Sequence, residues 1–334
     1  QFNPQFSLQH LEQDHDLLHM ENIPIEYANG LRRALHSEAP TVCLDKIAFT
    51  ANTSSITEEM IAQRLGMLPI YVEKQRFDMM QYFYNCESIA TDQHHIDLDQ
   101  EKVCESCMAF CSLDVTNTTS DYLMVTDRHI QFKDSSFQAF SSFKNCSPIP
   151  IVKLGPTQKV AFRAVLYKGK GRIHAKWSPV AACPLQPVIK LNVQNVEKLL
   201  EMPQCKDQII SYLKEVCCRG CFVIQNQNLI KIDSDRCILC DDCVRKPFEC
   251  DFDGEAEYPF QVKDGKLVLT KVIKTELIEK QFNLHVESIG VQSPKEILDN
   301  AIGELIKQLD HIKDLPGFEQ VSGGVLEVVE DGFM

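Results

Sequence analysis

Most of the fifteen cysteines of this chain fall in two windows, Cys86 to Cys111 and Cys205 to Cys250, and that crowding limits what the chain can become. Thiols at C-x2-C spacing are either bridged or bound to metal, and the compartment decides which. The opening stretch, Gln1 to Asp14, is polar and mixed, without the apolar h-region of a secretory signal. No apolar run approaches the roughly 20 residues that span a bilayer. A soluble intracellular chain is therefore expected, in which clustered thiols point to metal. With 334 residues, 44% of them apolar, the chain can build a sizeable core without staples. Two domains are expected, with a small third module.

In the first window Cys86, Cys104, Cys107 and Cys111 are spaced C-x17-C-x2-C-x3-C. Four soft donors suit a tetrahedral structural zinc, with buried free thiols as the plainer alternative. His94 and His95 stand in the long gap and are substitutes for Cys86. The second window holds Cys237-Ile238-Leu239-Cys240-Asp241-Asp242-Cys243, the C-x2-C-x2-C spacing of the bacterial ferredoxin run. Upstream, Val216-Cys217-Cys218-Arg219-Gly220-Cys221-Phe222 resembles the Cys-Pro-x-Gly stretch of ferredoxin-like modules, with Cys218 where the proline would be. This resemblance implies a [4Fe–4S] cluster on Cys217, Cys237, Cys240 and Cys243. A second zinc is the runner-up, with Cys218, Cys221 and Cys250 as further ligand choices.

The formal net charge of −13 argues against a nucleic-acid grip, because phosphate neutralisation requires a basic face. Lys168, Lys170 and Arg172 are the nearest approach to one and read as a solvated turn. No Walker loop, HExxH, GxSxG or magnesium-binding aspartate triplet is present, so no catalytic residues are expected.

Periodicity supplies the elements. Ala28, Leu31 and Leu35 make one apolar helix stripe, leaving Arg32 and Arg33 off it. Strands are expected over 42–50, 68–72, 149–154, 160–167, 187–191 and 282–287, and helices over 57–65, 196–200 and 208–216. Ser293, Pro294 and Glu296 form a capping box that opens a long final helix. Its wide apolar face runs from Ile297 to Ile312 and needs a partner surface. The acidic tail after Gly317 is expected to be loose.

Three stretches together resemble one family. They are Asn29-Gly30-Leu31-Arg32-Arg33-Ala34-Leu35 with Glu38-Ala39-Pro40-Thr41-Val42, then Ile61 to Ile70, then Lys168-Gly169-Lys170-Gly171-Arg172-Ile173-His174-Ala175-Lys176-Trp177-Ser178-Pro179-Val180. The family is that of the bacterial alpha subunit, its archaeal counterpart and the third-largest subunit of eukaryotic RNA polymerase II. The resemblance implies an α+β chain with a discontinuous alpha-like dimerisation domain (1–50, 177–194 and 258–318). An inserted, mostly-β second domain would occupy 51–176, a small ferredoxin-like Cys-rich module 195–257, and an acidic tail 319–334. It also implies a non-catalytic scaffold in the nucleus that heterodimerises with a smaller alpha-like subunit, here through Leu305 and Leu309. Arg32 and Arg33 would dock a large catalytic subunit. Little direct nucleic-acid contact and no membrane are implied.

The zinc loop favours the polymerase II member. The ferredoxin-like insert favours the archaeal member or the one shared by polymerases I and III. The polymerase II type is the expectation carried forward. A stand-alone iron–sulfur electron carrier is the alternative of another class, though no flavin or nucleotide motif accompanies it. A nucleic-acid-binding zinc protein is opposed by the acidic balance.

Overall fold

The computed structural model describes residues 3–86, 98, 104–225, 228–233, 236–252, 259–269 and 272–313, with the backbone strands Phe318–Gln320 and Leu326–Val328. His94 and His95 lie outside the described residues. Helices and several separate sheets are interleaved along the chain in a mixed α/β arrangement. In the acidic tail, Phe318–Gln320 pairs antiparallel with Leu326–Val328, where the sequence suggested no structure. Two compact units result: Gln1–Ser7, Leu18–Ile25 and Leu185–Leu284 form one, and Leu8–Leu17, Glu26–Pro184 and His285–Met334 the other. Among the described residues no helix is long and apolar enough to cross a membrane.

The second unit is organised by the strand Lys159–Lys170, which pairs antiparallel with Pro40–Asn52 on one side and Met108–Thr116 on the other. Alternation does the rest. Val160, Phe162, Ala164 and Leu166 face an apolar core shared with Val42, Leu44, Ala109 and Leu113. Val165 faces the other way, with Met108 and the first cysteines. The helix Glu58–Gly66 covers the core with Ile61 and Leu65, both inaccessible to solvent.

Lys168-Gly169-Lys170-Gly171 is not the solvated turn that its sequence suggests, because the strand continues through Lys170, which is only 5% exposed. Arg172 alone of the three basic residues is exposed. The glycines mark close approaches. A Cβ on Gly169 would lie 2.5 Å from the Trp177 ring, and one on Gly171 only 2.0 Å from the carbonyl oxygen of His36. Lys168 Nζ donates to the Phe77 carbonyl at 3.0 Å and lies 4.1 Å from the centre of the Phe77 ring. Burial lowers its pKa to about 8.

The final helix, Pro294–Lys313, opens on the expected capping box. The Glu296 N–H donates to Ser293 Oγ at 3.3 Å, and the Ser293 N–H to Glu296 Oε2 at 2.9 Å. Ile297, Leu298 and Ala301 are buried.

In the first unit Leu185–Asn192 pairs antiparallel with the 274–284 part of Lys274–Ser288. Helices Gln194–Glu201 and Lys206–Val216 place Val196, Leu199, Ile209 and Leu213 in a core with Phe248, Leu267 and Ile273. A three-stranded sheet of Phe248–Asp251, Lys266–Leu269 and Gln261–Lys263 packs into the same core. Cys250 and Cys205 are buried there as a disulfide, with their Cα atoms 5.8 Å apart. This removes Cys250 from the ligand choices. The strand's alternation sends Phe248 and Cys250 inward, towards the start of the helix that Cys205 precedes.

Gly171→Ala is expected to destabilise the chain by about 1–3 kcal/mol, the usual cost of overpacking. Gly30, inside the helix Ile25–Ser37, has open space where a Cβ would stand, with nothing within 4 Å. Gly30→Ala should therefore be neutral or stabilising by up to about 1 kcal/mol. Thermal melts of the two variants check this contrast, and a Gly171→Ala chain that melts with the wild type would contradict it.

Candidate metal centres and assembly surface

The turn Cys104–Cys107 returns the chain on itself, with the Met108 N–H donating to the Cys104 carbonyl at 2.9 Å. The short helix Phe83–Asn85 delivers Cys86 from the other side, held by Phe83 against the Tyr167 ring at 5.5 Å. The sulfurs of Cys86, Cys104 and Cys107 consequently lie within 4.8 Å of one another, and all three residues are buried. Cys86 Sγ and Cys104 Sγ are 3.7 Å apart. Thiolates bound to one zinc at about 2.3 Å stand about 3.8 Å apart in a tetrahedron, so the spacing fits a single ion. Burial, reinforced by the thiols of Cys86 and Cys104, pushes the Cys107 thiol well up. A cation at the centre would reverse that penalty.

Cys111 does not join them. The strand begins at Met108, so Ala109, Cys111 and Leu113 point to the opposite sheet face and into the apolar core. The C-x3-C spacing reads as a loop only when that strand is not seen. Burial alone raises the Cys111 thiol pKa far above its usual value. Among the described residues the group is thus a triad.

The second set is arranged differently. Cys217 ends the helix Lys206–Val216, and the backbone then turns through Gly220 at φ +62°. The Cys221 N–H donates to Cys217 Sγ at 3.3 Å. Although burial opposes it, backbone N–H donation from Cys221, Arg219 and Gly220 holds the Cys217 thiol below its ordinary pKa. In the C-x2-C-x2-C run, Leu239 and Asp241 adopt left-handed backbone at φ 55° and 61°. Gln186 donates its side-chain amide to the Cys237 carbonyl and anchors the run. Cys217, Cys221, Cys237, Cys240 and Cys243 line one small cavity of about 20 Å³. Burial and the nearby sulfurs of Cys237, Cys240 and Cys217 push Cys243 up to about 11. Burial and Cys217 push Cys221 up to about 12. These sulfurs share a pocket, yet among the described residues only the first triad closes to mutual contact at 4.8 Å. Cys218 is exposed.

On the final helix Ile302, Ile306 and Leu309 are 42%, 53% and 58% exposed, one stripe at i, i+4 and i+7. Leu305, singled out with Leu309 from the sequence, is half-buried. The sequence showed one wide apolar face; only packing reveals which part stays uncovered. Arg33 is exposed, whereas Arg32 is half-buried and donates Nε to Asn29 Oδ1 at 2.9 Å.

A profile of the RNA polymerase Rpb3/Rpb11 dimerisation domain matches residues 18–309. The chain belongs to this family. It is 29% identical over 335 residues to DNA-directed RNA polymerase II subunit rpb3 of Dictyostelium discoideum, covering 97% of this chain and 96% of the relative. It is 27% identical over 320 residues to subunit 3 of RNA polymerases II, IV and V of Arabidopsis thaliana, covering 93% and 90% of the two chains. The archaeal subunit Rpo3 of Methanopyrus kandleri is 25% identical over 292 residues, 87% of this chain and 86% of that one. Family membership accounts for the three sequence stretches that carried the resemblance, which begin on the first helix, on the second helix and at the end of the buried lysine strand.

Cys107, inside the triad, and Cys111, outside it, separate the readings of the first centre. Cys107→Ser is expected to abolish metal binding at the triad, because two remaining thiolates cannot hold an ion that needs three or four. Cys111→Ser should leave metal binding intact and lower stability, since it places a hydroxyl in an apolar core. Metal analysis with thermal melts distinguishes them, and metal loss from Cys111→Ser alone would overturn the assignment.

Proposed function

We propose that this chain is the Rpb3-type assembly subunit of a nuclear DNA-directed RNA polymerase, of the polymerase II type, without catalytic residues of its own. The exposed stripe of Ile302, Ile306 and Leu309 carries the reading. The opposite side of the same helix is buried in the second unit, so the stripe is apolar surface left for another chain. Its occupant would be the smaller alpha-like subunit, giving a heterodimer. Arg33, with Arg32 behind it, would then dock a large catalytic subunit. In this scheme residues 1–50, 177–194 and 258–318 form the dimerisation domain, 51–176 the inserted domain and 195–257 the ferredoxin-like module.

Both metal centres would be structural. Cys86, Cys104 and Cys107 suit zinc, their three buried sulfurs standing within 4.8 Å of one another. Cys217, Cys237, Cys240 and Cys243 suit a [4Fe–4S] cluster better than a second zinc. The C-x2-C-x2-C run and the pocket these cysteines share support that reading. The cluster would brace the module that carries it.

Ile306→Asp with Leu309→Asp is expected to weaken heterodimer formation by about 100-fold or more, since charges would meet apolar surface. Affinity for the co-expressed smaller subunit measures this, and undiminished binding would sink the interface. Separately, Cys240→Ser should lose the iron and the visible absorption of anaerobically purified protein. Colourless wild-type protein with a second zinc would replace the cluster and leave the scaffold role standing.

A further inference from the structure

The buried lysine strand ends in an ion network that the metal centres and the exposed stripe do not explain. Lys170 inserts its ammonium between two carboxylates distant in sequence, 3.2 Å from Glu38 Oε2 and 2.6 Å from Glu304 Oε2. Glu38 directly follows the first helix and Glu304 lies midway along the final one; both are buried. Gln308, one turn beyond Glu304, donates Nε2 to Glu38 Oε2 at 2.7 Å. The final helix is therefore fastened at two points, one turn apart, to a single lysine–glutamate pair.

The position of these fastenings is what matters. The helix's buried residues are Pro294, Ile297, Leu298, Ala301 and Glu304, and none beyond Glu304 is buried. Beyond Glu304 only Leu305 and Gln308 are half-buried, so the bond from Gln308 to Glu38 is a polar hold on the half that presents Ile306 and Leu309. Two attachments a turn apart restrain rotation about the helix axis as well as depth. A buried ion pair is a poor source of net stability, because desolvation offsets most of the attraction and apolar replacements are often neutral. Directional specificity is the better account of why charges sit here.

We propose that Lys170 is a positioning residue for assembly: through Glu304, and through Glu38 to Gln308, it sets the rotation of the final helix and so the direction in which Ile302, Ile306 and Leu309 meet a partner. The inference rests on the interface proposed above. It deepens that reading by naming what orients the surface.

The test uses the full chain with the smaller alpha-like subunit, comparing Lys170→Met, Lys170→Arg, Glu304→Gln and Leu309→Asp. Partner affinity, thermal midpoint and peptide-resolved amide hydrogen exchange are measured together. Lys170→Met should bind about tenfold more weakly, the fraction of competent helix orientations having fallen by that factor. Exchange should rise within 304–313 and stay unchanged in Pro40–Asn52 and Met108–Thr116. Lys170→Arg should restore most of the affinity. Glu304→Gln, which keeps size and a hydrogen bond, should show the same pattern more weakly and serves if Lys170→Met fails to fold. Wild-type affinity in Lys170→Met and Glu304→Gln, where Leu309→Asp cannot bind, overturns the positioning role and spares the interface. Exchange that rises throughout the unit makes Lys170 an ordinary core residue and also overturns it. Normal binding by Leu309→Asp sinks the interface, and the positioning role with it.

Discussion

The antiparallel strand Lys159–Lys170, paired on both edges, is the constraint on which the second unit depends. Its alternation cannot be shifted by one residue without exchanging every inward side chain for an outward one. Val160, Phe162, Ala164 and Leu166 commit one face to the apolar core, and Val165 commits the other to the cysteine triad. Its end carries Gly169 and Gly171, where Trp177 and the carbonyl of His36 leave no room for a side chain. One register thus places the core, the triad and the buried Lys170 together.

The two groups of thiols show how identical donors come to different arrangements. In the triad a tight turn and a short helix bring sulfurs to single-ion spacing. In the other set, left-handed residues in the C-x2-C-x2-C run and a backbone turn after Cys217 distribute sulfurs around a pocket, with N–H groups pointed at one of them. Spacing in sequence is nearly the same in the two. Backbone geometry separates them.

Charge placement follows a similar logic. The chain is acidic overall, yet the contacts of Lys168 with Phe77 and of Lys170 with Glu38 and Glu304 are intramolecular. Each buried charge has a partner within hydrogen-bond distance, which burial in a low-dielectric interior requires. Of the three basic residues that stand together in the sequence, Lys168 and Lys170 are engaged inside the fold and Arg172 alone is exposed.

Sequence alone determined the elements whose signals are local. Periodicity located the helices and the long strands, the Ser293–Glu296 box set the start of the final helix, and the three motif stretches led to the family. C-x2-C spacing also located Cys104 with Cys107 and the run from Cys237 to Cys243, because three residues of chain can place two sulfurs together with no help from elsewhere. What depended on partners distant in sequence was decided only by tertiary structure. Cys111 left its expected site because strand pairing sets which face it occupies, and Cys250 was taken by Cys205 across the small module. Leu305 was half-covered while Ile302 and Ile306 stayed exposed, since an amphipathic face does not say how much of it its own domain buries. Lys170 turned inward because two carboxylates, one 132 residues before it and one on the final helix, were waiting there. Long-range pairing is fixed by the packed fold, and a linear pattern carries no record of it.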